Sequence, residues 1–81
     1  ANNRLNKHQE AIQDYTQAIR INANYGEAFF NRGVTYFKLG SRQEAIQDFQ
    51  KAAQLFQTQG NTTAYNNAMN ALQTVRSQSR R

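Results

Sequence analysis

The sequence contains no cysteine, no proline and only one histidine, His8. Without cysteine, neither disulfides nor a thiolate metal site can stabilise the fold, and a single histidine excludes a multi-histidine metal cage. No apolar run approaches the roughly 20 residues needed to cross a bilayer, and residues 1–9 have no apolar core of a signal peptide. We therefore expect no metal, no cofactor and a cytoplasmic location.

Acidic residues are also few: five Asp and Glu stand against ten Lys and Arg, a formal charge of +5. Such a balance favours acidic partners, nucleic acid among them. However, the basic residues are scattered singly until Arg76, Arg80 and Arg81, whereas nucleic-acid binding usually needs a cluster. Basic residues at the C-terminal end of a helix are also favoured by the negative end of the helix dipole. Nucleic-acid binding is therefore the weaker interpretation.

The hexapeptide QEAIQD occurs at residues 9–14 and again at residues 43–48, a shift of 34. The same shift places Tyr15 on Phe49, and Ile21 on Leu55. A fixed period of this length indicates stacked structural units, none of which can bury its apolar face alone. Since alanine and glutamine are plentiful and proline is absent, we expect these units to be helical.

Apolar residues recur at helical spacing in four segments. The helices are predicted at residues 7–22, 26–39, 42–57 and 61–77, and residues 1–5 are interpreted as the stub of an earlier helix. The second helix carries two apolar stripes, so it must touch neighbours on two sides. We therefore predict a single domain, which consists of a partial repeat (1–22), a complete repeat (23–57), a capping helix (61–77) and a basic tail (78–81).

A pair of helices repeated every 34 residues, with small and aromatic residues at fixed places, resembles the tetratricopeptide repeat. The residues that carry the resemblance are Phe29, Gly33, Tyr36, Gly40, Ala45, Phe49 and Ala52, with Ala11, Tyr15 and Ala18 at the matching positions upstream. It implies an all-α fold of antiparallel helix-turn-helix repeats, stacked as a short right-handed α-solenoid with a C-terminal capping helix. The glutamine-rich repeats resemble bacterial, particularly cyanobacterial, members.

The resemblance also implies a function without catalysis: a scaffold that binds a peptide or partner protein on its concave face. Carried over by position, the residues of that face are Glu27, Phe30, Asn31, Val34, Phe37, Lys38 and, on the final helix, Tyr65. Val34 and Phe37 equally fit a structural role between adjacent helices. Some members clamp a carboxylate with Asn, Lys and Arg, but Asn61 and Tyr65 stand where Lys and Arg would be expected, so we expect no clamp here.

Two further interpretations remain open. The helix at 7–22 has no partner of its own, so Ile12, Tyr15 or Ile19 would form an exposed patch, which indicates either a self-association interface or a chain truncated from a longer array of repeats. Because the proline usual between repeats is absent, residues 21–26 could straighten and allow a domain-swapped dimer. The acidic pairs of each repeat, Glu44 with Asp48 in the second copy, fit a solvated helix surface better than an acid–base or metal site.

Overall fold

The computed structural model describes the backbone of residues 3–79 and the side chains of residues 7–78. The four helices of this part of the chain are α1 (Asn3–Ile21), α2 (Gly26–Lys38), α3 (Arg42–Gln59) and α4 (Thr62–Ser79). No strand occurs among the described residues. The predicted all-α fold is confirmed, and the starts of α2 and α3 agree with prediction.

The first helix differs from the prediction at its start. Residues 3–5 belong to α1, so their assignment to a separate earlier helix was wrong; residues 1 and 2 lie outside the described range. The physical reason is that residues 3–9 contain no glycine or proline, and nothing in this segment therefore ends the helical turn. A stretch of 19 residues forms one continuous helix.

Both α2 and α3 end at a glycine in the left-handed conformation. The φ angles are +84° at Gly40 and +76° at Gly60. The residue after each glycine donates its backbone N–H to a carbonyl five residues back, from Ser41 to Tyr36 at 2.9 Å and from Asn61 to Phe56 at 2.9 Å. These are Schellman closures, which satisfy the free carbonyls of a helix end and favour glycine because it lacks Cβ.

The packing of α2 against α3 is antiparallel, and two glycines define its register. A Cβ atom on Gly33 would lie 2.9 Å from Cε1 of Phe49, and one on Gly26 would lie 2.8 Å from Cε1 of Phe56. A step of seven residues towards the N-terminus of α2, from Gly33 to Gly26, thus corresponds to a step of seven residues towards the C-terminus of α3, from Phe49 to Phe56. Gly33 is one of the residues that carry the resemblance stated above, whereas Gly26 is not among them.

Two clusters of buried side chains form the core, and α3 contributes to both. The first contains Ala45, Phe49, Leu72 and Val75, and the second contains Ala52, Ala53, Phe56 and Ala68. Phe30 of α2 packs against both clusters, and its ring centroid lies 5.5 Å from that of Phe49. Apolar burial of this kind is the main favourable term in folding, so α3 is the helix on which α2 and α4 assemble, whereas α1 packs against α2.

An ion pair beside the first cluster connects three helices. Arg32 of α2 donates from Nε to Asp48 Oδ2 at 2.8 Å and from Nη2 to Asp48 Oδ1 at 2.9 Å, a bidentate arrangement. Its Nη1 donates to Thr16 Oγ1 of α1 at 3.1 Å. The hydrogen bond to Asp48 raises the pKa of the Arg32 guanidinium above its usual value, even though burial opposes the charge. Arg32 therefore remains a cation.

This ion pair corrects the prediction that Glu44 and Asp48 both belong to a solvated surface. Glu44 is exposed, but Asp48 is a buried charged residue with 5% of its surface accessible. Burial of a carboxylate is costly unless a cation and hydrogen bonds compensate it. Arg32 supplies both, and the rings of Phe29 and Tyr36 lie 5.6 and 5.8 Å from its guanidinium carbon.

Gly33→Ala is expected to lower the free energy of unfolding by about 1–3 kcal/mol, because the added methyl group meets the buried Phe49 ring. This loss should outweigh the gain of about 1 kcal/mol in helix propensity. Urea unfolding followed by circular dichroism measures the net change in the free energy of unfolding. In a Phe49→Leu background, where the ring is gone, the same substitution should cost less; an equal cost in both backgrounds would show that the close approach is not the cause.

Asp48→Ala is expected to lower the free energy of unfolding by about 3 kcal/mol, since it leaves the largely buried Arg32 cation unpaired. The matched control is Asp14→Ala, which removes the same residue of the same hexapeptide where the side chain is exposed. That control should change stability by less than about 0.5 kcal/mol. Similar losses for the two variants in urea unfolding would contradict a special role for the ion pair.

Candidate functional site

A cleft of about 310 Å³ lies between α2 and α4. Its lining residues are Glu27, Phe30, Asn31, Phe56, Ala64 and Asn67; we call this the α2–α4 cleft. Three of these residues were predicted from the sequence to bind a partner: Glu27, Phe30 and Asn31. The cleft combines an apolar base with three polar side chains, which is the usual composition of a binding surface.

The polar side chains of the α2–α4 cleft are available to a ligand. Glu27, Asn31 and Asn67 are exposed, and within the described residues none of their side-chain polar atoms has a hydrogen-bond partner or an ion pair. An amide side chain offers both a donor and an acceptor, whereas the Glu27 carboxylate offers acceptors only. The set can therefore bind a peptide backbone on both its N–H and C=O groups and a cation beside Glu27.

The apolar base of the cleft is well packed because it belongs to the core. Phe56 is 5% exposed, and Gly26 lies directly against its ring. Phe30 is half-buried and packs on Phe49 at the centroid distance given above. A ligand would therefore meet preformed apolar surface, without first having to order these side chains.

The other predicted residues of α2 lie outside the α2–α4 cleft. Val34 and Phe37 are half-buried and pack against the first core cluster. This packing agrees with the second possibility given for them above, a structural role between adjacent helices. Lys38 is exposed at the end of α2, 11 residues from Glu27. At about 1.5 Å per residue the two charges are separated by roughly 16 Å along the helix axis.

Tyr65 is not among the residues that line the α2–α4 cleft. It is half-buried, packs against the second core cluster and lines a separate cleft of about 240 Å³ together with Phe56 and residues 57 and 60–62. Nearby, Asn61 Oδ1 accepts the backbone N–H of Ala64 at 3.2 Å and so caps α4.

No other arrangement for chemistry emerges in the described part of the chain. Residues 7–78 hold no group of three or more His, Asp or Glu side chains placed to bind a metal ion. None of the described helices is both long and apolar enough to cross a membrane. Glu10 and Asp14, the acidic pair of the first hexapeptide, are exposed on α1.

Comparison with protein-family models gives two overlapping matches: "TPR repeat" over residues 3–40 and "Tetratricopeptide repeat" over residues 26–59. Together they cover residues 3–59, from the start of α1 to the end of α3. The chain belongs to the tetratricopeptide repeat family. Such repeats generally mediate protein–protein interaction and are typically non-catalytic. No curated protein is significantly similar to the chain in sequence.

Several important residues of this tetratricopeptide repeat chain were missed from its sequence. They are Arg32, Phe56, Ala64 and Asn67, together with the burial of Asp48. A partial signal for the ion pair was present, because Arg32 and Asp48 each adjoin a residue of the contact between Gly33 and Phe49. The antiparallel register by itself places residue 32 opposite residue 50, and Arg32 reaches Asp48 because the Gly33 position also lies beside Asp48 Cβ. Asn67 gave no comparable signal, because α4 is rich in asparagine, glutamine and threonine.

Proposed function

We propose that this chain is a non-catalytic binding module that holds an extended segment of a partner protein in the α2–α4 cleft. The observation that carries this proposal is the combination of exposed polar side chains without intramolecular partners and a packed apolar base. A ligand can therefore bind these polar groups without first breaking a hydrogen bond inside the protein. The cytoplasmic location and the bacterial origin stay predictions.

The charges along α2 suggest which segment fits. Glu27 at one end favours a basic group, and Lys38 at the other favours a carboxylate. An extended peptide advances about 3.3 Å per residue, so about five residues span the roughly 16 Å between these charges. We propose a ligand of five to seven residues with a basic residue at one end, an acidic residue at the other, and an apolar side chain between them for Phe30 and Phe56.

Variants of the two cleft asparagines test the proposal. Peptides selected from a displayed random heptapeptide library against the wild-type chain should bind Asn31→Ala and Asn67→Ala about fivefold to tenfold more weakly, because each variant loses a hydrogen bond worth about 1 kcal/mol. Fluorescence anisotropy of labelled peptides gives the affinities. The matched control is Asn66→Ala, which removes an exposed asparagine beside Asn67 that does not line the cleft.

Equal affinities for all three variants would place the selected peptides elsewhere on the surface and contradict the proposed site. Phe30→Ala is a poor probe, despite its position in the cleft, because Phe30 also packs against both core clusters. A loss of binding in that variant would therefore not separate ligand contact from unfolding. The asparagines are exposed, so their removal should leave stability unchanged within about 0.5 kcal/mol.

Self-association is the second candidate function, and exposed apolar side chains favour it. Ile21 at the end of α1 is 86% exposed, and Tyr25 in the following turn is 42% exposed. The residues predicted for this patch, Ile12, Tyr15 and Ile19, are half-buried instead. In the turn, Asn24 donates its N–H to Asn22 Oδ1 and its carbonyl accepts from Gln59 Nε2 at 2.8 Å. A domain swap would have to break this second contact.

If the Ile21 surface mediates self-association, the average mass in sedimentation equilibrium should rise with protein concentration. Ile21→Ser should abolish the rise, since it removes exposed apolar surface without disturbing the core. Met69→Ser is the control, because Met69 is also exposed but lies on α4. A monomeric mass at every concentration from micromolar to millimolar would contradict self-association.

A further inference from the structure

Basic residues that are far apart in the sequence come together at one edge of the helix stack. The end of α2 and the start of α3 meet at the turn through Gly40, and they carry Lys38 and Arg42. The helix α4 runs antiparallel to α3, because its later residues share the first core cluster with the start of α3, whereas Ala68 shares the second cluster with the later part of α3. The last turn of α4, with Arg76, therefore lies at the same edge.

The start of α1 lies at this edge as well. The helices α1 and α2 pack together and are joined only by residues 22–25, a short connection that makes neighbouring helices antiparallel. The hydrogen bond between Thr16 and Arg32 gives their relative level. Lys7 stands nine residues before Thr16, about 14 Å along α1 towards the edge where α2 ends. We call Lys7, Lys38, Arg42 and Arg76 the basic edge.

The positive charge of the described side chains is concentrated on the basic edge. All four of its cations are exposed, and none has an ion pair within the described residues. Two exposed carboxylates, Glu10 and Glu44, lie in the neighbouring turns. The other charged side chains between residues 7 and 78 cancel in number: Arg20, Arg32 and Lys51 against Asp14, Glu27 and Asp48. The excess of cations therefore belongs to this edge.

Helix stability does not account for this placement. Lys38 and Arg76 are in the last turns of α2 and α4, where the helix dipole favours a cation. Arg42, however, is the first residue of α3, where the same dipole opposes a cation. Attraction of an anion from outside the chain accounts for both kinds of position.

The basic edge offers charge without an apolar anchor. The exposed large apolar side chains of the described residues lie elsewhere: Ile21 and Tyr25 at the opposite end of the helices, and Met69 two turns before Arg76 on α4. Interfaces with proteins usually centre on buried aromatic and apolar groups. Binding to a phosphate backbone needs cations alone. The composition of the edge thus favours phosphate groups over a protein partner.

Neighbouring repeats would leave this edge open. In the described chain the helices contact one another along their lengths, and repeats of this kind each contact only the next one in the stack. A further repeat would accordingly cover a helix face, whereas the ends of α2, α3 and α4 stay at the side of the stack.

We propose that the basic edge binds the phosphate backbone of duplex nucleic acid without reading the base sequence. Its arginines and lysines donate charge-assisted hydrogen bonds to phosphate oxygens. A duplex is the occupant, rather than a single strand, because no exposed aromatic ring of the described residues lies at the edge to stack on unpaired bases. The scattered positions counted against nucleic acid in the sequence, and the fold removes that objection by bringing them together.

The test is the fluorescence anisotropy of a labelled DNA duplex of about 20 base pairs, titrated with the chain at several salt concentrations. We expect a dissociation constant between about 1 and 100 µM near physiological salt. Four phosphate contacts predict that the logarithm of the affinity falls with the logarithm of salt at a slope of about −3.6, or roughly a hundredfold between about 50 and 200 mM.

Two double variants with the same net charge make the matched comparison. Arg42→Gln with Arg76→Gln should weaken duplex binding by about tenfold or more and make the slope shallower by about two. Arg20→Gln with Lys51→Gln removes two exposed cations outside the basic edge and should change the affinity less than about twofold. All four positions are exposed, so both variants should keep the circular dichroism spectrum of the wild type.

Four results would overturn the proposal. They are no binding at about 50 mM salt with about 100 µM protein, equal weakening by the two double variants, tighter binding to a single strand of the same length, and binding to vesicles of anionic lipid but not to the duplex. The outcome is independent of the α2–α4 cleft, because Asn31→Ala and Asn67→Ala, which test that site, should bind the duplex as the wild type does.

Discussion

The close approach of α2 and α3 at Gly33 is the contact on which the rest of the structure depends. With no Cβ at this position, the Phe49 ring lies against the backbone of α2 and fills the first core cluster. The contact also determines the antiparallel register, so that Gly26 meets Phe56, and because Gly33 lies beside Asp48 as well, it brings Arg32 within reach of that carboxylate. An ion pair this largely buried is stable only when its geometry is good, and the register of the two helices provides that geometry.

The same register positions the candidate binding surface. Because α3 packs against both α2 and α4, it brings these two helices beside each other and leaves the α2–α4 cleft between them. Phe30 and Phe56 form the cleft base and belong to the core at the same time. The proposed binding and the folding therefore share residues on the apolar side of the cleft, whereas the exposed asparagines would serve the proposed binding alone.

Identical sequence does not give identical roles in this chain. Asp14 and Asp48 both end the hexapeptide QEAIQD, yet one carboxylate is in solvent and the other is paired below the surface. The difference comes from the neighbouring helix: Arg32 of α2 pairs with Asp48, whereas no described residue makes a hydrogen bond or ion pair with the Asp14 carboxylate. A functional interpretation of a repeat must therefore ask what covers each copy.

The sequence by itself determined the helices and the repeat, and it marked Gly33 as one of the small residues at a fixed spacing, because these features follow from local periodicity and from the 34-residue shift. It also indicated Glu27, Phe30 and Asn31 as surface candidates. Only the tertiary structure decided that Asp48 is buried, that Tyr65 faces a different cleft and that Asn67 completes the α2–α4 cleft. Those properties depend on which residues of separate helices come to face each other, and helical periodicity within one segment carries no information about its neighbours.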